Sequence, residues 1–163
     1  MMKSIYLIAI GLVIVILQTT VMQLFRIAGI VPNLMLIWLI IAAVIFDRMT
    51  SFKAALIGGL LVDILIGKGI AVHIAIYIPI VLVIASLEEK IFKDNYITPV
   101  ILIVLSTLYY HAFFLLVHYF STGDFVLFGR LFSVIIPELL YNLCIGVICY
   151  VCAFRISAGY QMR

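Results

Sequence analysis

Long apolar runs separated by short polar breaks divide the chain, and the spacing of the breaks predicts six helices. The first run extends from about Ser4 to Leu24 and is closed by Arg26. Val31-Pro32-Asn33-Leu34 opens the second, which continues to Phe46. Proline suits a helix start, where its missing N–H costs nothing. Asp47 to Lys53 reads as an aqueous loop. The third run, from about Phe52 to Ile66, is short and carries Asp63, and Gly67-Lys68-Gly69 is a tight break. The fourth runs from Ile70 to Leu87 and contains Pro79. Glu88 to Asn95 is the most charged loop. The fifth covers Ile97 to about Tyr119, with Ser121 to Asp124 after it. The sixth covers about Leu131 to Phe154, and a short tail ends at Arg163. Runs two and three are near the lower length limit of about 17 residues for a spanning helix. Local thinning of the bilayer accommodates a shorter helix. A re-entrant hairpin at the third run, leaving five spans, is the alternative.

Composition agrees with this pattern. Of 163 residues, 67% are hydrophobic and 10% charged, against about 45–50% and about 25% in soluble domains. With a mean hydropathy of +1.39, a water-soluble globule has too little interior for so many Ile, Leu and Val side chains. Disorder, a collagen-like chain and a disulfide-stapled secreted module are excluded as well. The expected fold is an all-α polytopic membrane bundle forming one integral membrane domain over residues 1–163. Six spans leave no room for a soluble catalytic, nucleotide-binding or DNA-binding domain. The net charge of +3 is therefore a topology signal and not a nucleic-acid signal. Six spans put Lys3, Arg48, Lys53, Lys90, Lys93, Arg155 and Arg163 on the side of the termini, and Arg26, Lys68 and Arg130 on the other. Seven against three argues for both termini in the cytoplasm. Five spans would weaken that bias. No A-x-A-like cleavage site follows the first run, which is read as a membrane helix. Cys144, Cys149 and Cys152 share one apolar run and are expected to be small buried hydrophobes.

Ionisable groups in hydrocarbon cost about 2.5–3.5 kcal/mol on insertion scales, so each needs a reason. With six spans, Asp63, His73, His118, Glu138, Gln18 and Gln23 all fall in the outer half of the bundle, although they come from five runs. Glu138, Asn142, Gly146 and Cys149 share a helical face. Ala55, Gly59 and Asp63 form a stripe, and so do Thr107, His111 and His118. A polar cluster opening outward is expected, with Arg26, Lys68 or Arg130 snorkelling toward a carboxylate. Asp63 and Glu138 have three readings: fixing the bundle, contacting a partner, or handling a ligand or proton. The histidines are too scattered to claim a metal. Tyr6, Trp38, Tyr96, Tyr119 and Tyr160 are expected interface anchors, and the Glu88–Asn95 loop is the best candidate for touching a cytoplasmic partner.

Three patterns, in order, carry a resemblance. Pro32-Asn33-Leu34 opens the second run. Gly58-Gly59-Leu60-Leu61-Val62-Asp63-Ile64-Leu65 lies in the third, and Pro137-Glu138-Leu139-Leu140-Tyr141-Asn142 lies early in the sixth. With the size and the six runs, the chain resembles the bacterial rod shape-determining protein family MreD. The resemblance implies a non-catalytic scaffold or regulator of cell elongation and peptidoglycan synthesis in the bacterial inner membrane. It implies as partners the membrane-anchored protein MreC, the glycosyltransferase–transpeptidase pair and the MreB filament, and no cofactor. It also implies a fold like the S component of energy-coupling-factor vitamin transporters. Pro32, Asn33, Gly59, Asp63, Pro137 and Asn142 match the family's pattern, and Glu138 matches it less closely. The rival function is a vitamin-binding S component, although the first run lacks an Ala-x-x-x-Ala docking repeat. An intramembrane enzyme lacks a nucleophile–base pair or an H-E-x-x-H motif.

Overall fold

The computed structural model describes residues 2–27, 29–66, 71–87, 95, 97–122 and 127–161, without the side chains of 2–4, 122, 127–132 and 157–161. Among the described residues there are six helices and a one-turn segment: α1 (Met2–Thr19), the single turn α2 (Val21–Leu24), α3 (Leu34–Ile45), α4 (Arg48–Leu65), α5 (Val72–Leu87), α6 (Ile97–Thr122) and α7 (Leu127–Gln161). No strand occurs among the described residues; a single bridge joins Ile27 and Ile30 across a turn in which Gly29 has φ +85°. The expected all-α bundle is what folds. By length and apolar composition, Ile5–Leu24, Ile97–Ser121 and Ser133–Ile156 can each cross a membrane. Leu34–Ile45 and Val72–Leu87 are shorter apolar helices.

α3 is the hub of the bundle. It packs against α1, α4, α5, α6 and α7, and Met35, Leu36, Leu39, Ile40, Ala43 and Val44 are buried along it. Twelve residues make it about 18 Å long, short of the roughly 30 Å hydrocarbon core. Neighbouring helices surround it, so its short length does not expose backbone to lipid. Glycines set the closest helix approaches. A Cβ on Gly59 would sit 2.7 Å from Ile74 Cα, and one on Gly146 would sit 2.6 Å from Ile103 Cδ1.

Several boundaries depart from the sequence reading. The first run breaks at Thr20, where Thr19 and Thr20 hydroxyls bond back to the carbonyls of Val15 and Ile16; such back-bonding bends a helix. Pro32 precedes the helix instead of opening it, because Asn33 takes the N-cap and accepts from Leu36 N. Asp47 likewise caps α4, accepting from Thr50 N at 3.0 Å, so most of the expected aqueous loop is helical. α7 starts before Leu131 and runs beyond Phe154. Trp38 is not an interface anchor but packs against Gly58 between α3 and α4. Cys144, Cys149 and Cys152 are exposed. They face outward from the bundle, where lipid solvates a thiol as readily as a protein core does. The Gly67-Lys68-Gly69 break, residues 88–94, Tyr96 and Asp124 lie outside the described residues, as do the Lys3, Arg130 and Tyr160 side chains.

Candidate functional site

Polar side chains from α1 and from α3 to α7 meet where α1 ends, α3 and α5 begin, and α4 ends. Two of these helix starts are buried, and their first N–H groups have no partner within their own helix. Apolar surroundings offer no water to replace one, so side chains from other helices must supply the acceptors.

At the start of α3, three acceptors do so. Gln18 Oε1 accepts from Met35 N at 3.1 Å, Asn33 Oδ1 from Leu36 N at 3.1 Å, and Asn142 Oδ1 from Asn33 N at 2.8 Å. Asn142 turns its amide to Thr107, donating to Oγ1 at 3.1 Å. Asn142 and Thr107 are completely buried, so this one amide ties α7 to both α3 and α6.

At the start of α5 the acceptor is Asp63, in the last turn of α4. Asp63 Oδ1 accepts from His73 N at 3.1 Å and lies 2.7 Å from His73 Nδ1. Oδ2 accepts from Ile74 N at 3.4 Å. A carboxylate at a helix N-terminus also opposes the positive end of the helix dipole. Asp63 thus does for α5 what an N-cap does, from a different helix. Gly59, one turn earlier on α4, makes that possible because its missing Cβ lets the backbone at Ile74 come close. Ala71, just ahead of α5, has φ +69°, a left-handed conformation that a non-glycine residue adopts only when its surroundings hold it there.

The imidazole continues the chain of bonds. Nδ1 faces an oxygen that already accepts a backbone N–H, which places the ring proton on Nδ1. His73 Nε2 is then free to accept from the Tyr110 hydroxyl at 3.2 Å. Tyr110 stacks on Tyr77 and Phe114 at centroid separations of 6.1 and 6.3 Å. Tyr110 and Thr107 stand one turn apart on α6, so the two capping arrangements, Asp63–His73–Tyr110 and Asn33–Asn142–Thr107, adjoin in one seam.

Glu138 stands one turn from Asn142 on α7. Its Oε2 lies 3.2 Å from His111 Nε2, with both side chains largely buried. The imidazole nitrogen is not directed along a hydrogen bond to it, so this contact is a close approach and not an aligned bond. Of the other residues singled out from the sequence, Pro32 is fully buried beside Asn33, whereas Pro137 is half-buried within α7 and outside the seam. Arg26 reaches no carboxylate among the described residues; its Nε donates to Gly29 O at 2.6 Å within its own turn. Cys149 leaves the expected face, which continues from Asn142 and Gly146 to the buried Tyr150. Gln18, His73 and Tyr110 share the seam with the matched residues. The stripe of Thr107 and His111 pointed to α6, but Tyr110, between them, carried no signal of its own.

The family whose sequence profile matches, over residues 2–156, is described as rod shape-determining protein MreD. The chain belongs to the MreD family. No curated protein and no solved structure matches it. The match covers every helix of the seam, and the three patterns that suggested MreD contribute Asn33, Asp63 and Asn142 to it. As an MreD protein with long apolar helices, the chain is a membrane protein of the rod-shape system.

Proposed function

We propose that this MreD protein is a non-catalytic scaffold of the cell-elongation machinery in the bacterial inner membrane. In this reading it spans the membrane six times, has both termini in the cytoplasm and holds MreC in place. Cytoplasmic loops contact the other elongation proteins, namely the glycosyltransferase–transpeptidase pair and the MreB filament. One observation carries the scaffold reading: the polar groups of Asp63, Asn33 and Asn142 are engaged in bonds that start one helix on another. Groups committed in that way fix the arrangement of helices and so the shape of the outer surface that a partner meets. The seven-to-three distribution of Lys and Arg supports the orientation.

The test is recovery of partners in gentle detergent from cells expressing the tagged full chain. Stoichiometric recovery of an MreC-like protein is expected, together with its loss in a variant whose seam is broken, such as Asn142→Leu. Recovery of a coupling subunit with its ATPases instead of MreC would replace scaffolding with small-molecule transport.

A further inference from the structure

Among the described side chains the carboxylates are Asp47, Asp63 and Glu138. Asp47 caps α4 and Asp63 serves the start of α5; Glu138 serves no helix start. It meets His111 at a regular place in the packing of α6 on α7. The two helices run antiparallel, and Ile103 faces Gly146, Thr107 faces Asn142 and His111 faces Glu138, each rung one turn from the next. At this third rung the side chains of His111 and Glu138 are only 10% and 12% exposed, and His111 Nε2 is buried with no hydrogen-bond partner. Asp63 differs in kind: three donors converge on it, and the His73 ring proton is fixed between Nδ1 and the carboxylate. No aligned bond fixes the proton between Glu138 and His111, so the charge of that pair depends on how many protons the two groups hold together. With one proton the pair is neutral overall, whichever atom carries it. A second proton leaves an imidazolium without a counter-charge, and loss of the first leaves a lone carboxylate. Apolar surroundings disfavour both of those states. Neighbouring titratable groups do not offset them. Tyr110 meets the His111 ring at 90° with centroids 5.4 Å apart, and Tyr77 and His73 of α5 lie against Tyr110. Phenols stay neutral near pH 7, and His73 is paired with Asp63. α3, which packs against both α6 and α7, has no titratable side chain from Leu34 to Ile45, and Tyr141 of α7 is turned to Phe25 O.

We propose that Glu138 and His111 form a proton-binding site that holds one exchangeable proton between α6 and α7, and that the two helices are held firmly only while the site carries that one proton. The proton passes between Glu138 Oε2 and His111 Nε2 and exchanges with water; only O–H and N–H bonds form and break. The rung lies one turn from Asn142, toward the end of α6. A net charge there therefore acts beside the amide that ties α7 to α3 and α6. The hold on α7 is thus sensitive to pH in both directions. In acid, the unfolded chain takes up a second proton that the folded pair resists, so stability rises with pH. In alkali, the folded pair keeps a proton that the unfolded chain releases, so stability falls as pH rises.

The test is thermal unfolding of the full chain in detergent from acid to alkaline pH, for wild type, Glu138→Gln, His111→Gln and the double variant. The coupling between the two positions in that cycle should be greatest at intermediate pH and vanish at both extremes. Relative to the double variant, Glu138→Gln should keep only the acid limb, because a histidine protonated alone is a buried unpaired cation. His111→Gln should keep only the alkaline limb, because the carboxylate alone is a buried unpaired anion. In each, the remaining limb should move toward neutral pH. A coupling of the same size at every pH, or none at any pH, would overturn the proposal and leave the pair as packing. So would two single variants that lose the same limb. Infrared difference spectra across the same pH range read the proton directly and need no unfolding curve. Wild type should show a carboxylic-acid C=O band that Glu138→Gln lacks, with a midpoint that shifts in His111→Gln. A midpoint indifferent to His111 would also overturn the proposal. Glu138→Asp and His111→Asn replace either glutamine variant that is not recovered from membranes.

Discussion

Asp63 receives three donors where a surface carboxylate meets water: His73 N, His73 Nδ1–H and Ile74 N. The consequence depends on which oxygen a replacement keeps. Asp63→Asn retains one carbonyl oxygen for the two shorter bonds to His73 and turns an amide against Ile74 N. Asp63→Leu retains neither and leaves donors unpaired in an apolar interior, at about 1–3 kcal/mol for each buried group. Thermal unfolding in detergent is expected to place Asn between wild type and Leu, with Leu recovered from membranes in much lower amount. Equal damage by both would mean that the charge itself is required. The neighbouring glycines separate a second pair of outcomes. Gly59→Ala drives a methyl to 2.7 Å from the Ile74 backbone, whereas Gly58→Ala meets the Met35 sulfur at 3.0 Å. Thioether side chains move aside readily and backbone does not. Gly59→Ala should therefore destabilise by about 1–3 kcal/mol and Gly58→Ala by clearly less. The same unfolding measurement decides, and a ranking reversed would show that α5 can retreat from α4.

A helix that begins inside a bundle needs acceptors for its first N–H groups, and α3 obtains them from α1, from its own cap and from α7. Asn142 serves α3 and α6 at once, so its loss should act on both. Asn142→Leu is expected to cost about 1–3 kcal/mol for each partner left unpaired. Adding Thr107→Val to Asn142→Leu should cost less than Thr107→Val does in wild type, because the hydroxyl has already lost its donor. Strict additivity in that cycle would mean that the Asn142–Thr107 bond contributes nothing. Apolar runs made the number of helices legible in the sequence, and helical spacing put Asn142, Asp63 and Thr107 on inward faces. Which acceptor meets which helix start was not legible, because Asn142 and Asn33 are 109 positions apart and no local pattern encodes that pairing. Boundaries shifted for a local reason: Asp47 and Asn33 are capping residues, and capping starts a helix wherever the side chain can accept a bond, not where polarity falls away. The outward cysteines and inward Trp38 show a second limit. In lipid, both faces of a helix are apolar, so hydrophobicity alone does not say which face is interior.

At the scale of the whole molecule, the helix directions place the seam at one end of the bundle. α4 ends there and α5 begins there, joined by a short connection, so α5 ends and α6 begins at the opposite end. Asn95 marks that opposite end, where its Oδ1 accepts from Ile97 N at 2.9 Å and opens α6. Ser121, exposed near the end of α6, lies back on the side of the seam. The charge distribution then bears on orientation: Arg48 and Lys53 lie toward the Asn95 end and Arg26 toward the Ser121 end, and in the sequence Lys90 and Lys93 fall between α5 and α6. Basic residues near the ends of spans remain in the cytoplasm, so the Asn95 end should face inward and the seam should lie in the outer half. Single cysteines at Asn95 and Ser121, in a full chain without native cysteines, give opposite expectations with an impermeant thiol reagent. Ser121→Cys should be labelled in intact spheroplasts, and Asn95→Cys only after the membrane is permeabilised. Labelling of Asn95→Cys from outside with Ser121→Cys protected would invert the molecule and place the Asp63–His73–Tyr110 chain on the cytoplasmic side. Labelling of both from outside would mean that α6 does not cross, leaving a 26-residue apolar helix lying along the membrane, and the six-span bundle would be lost. Protection of Asn95 and exposure of Ser121 is the one result under which the seven-to-three count, the direction of α6 and the position of the seam all agree.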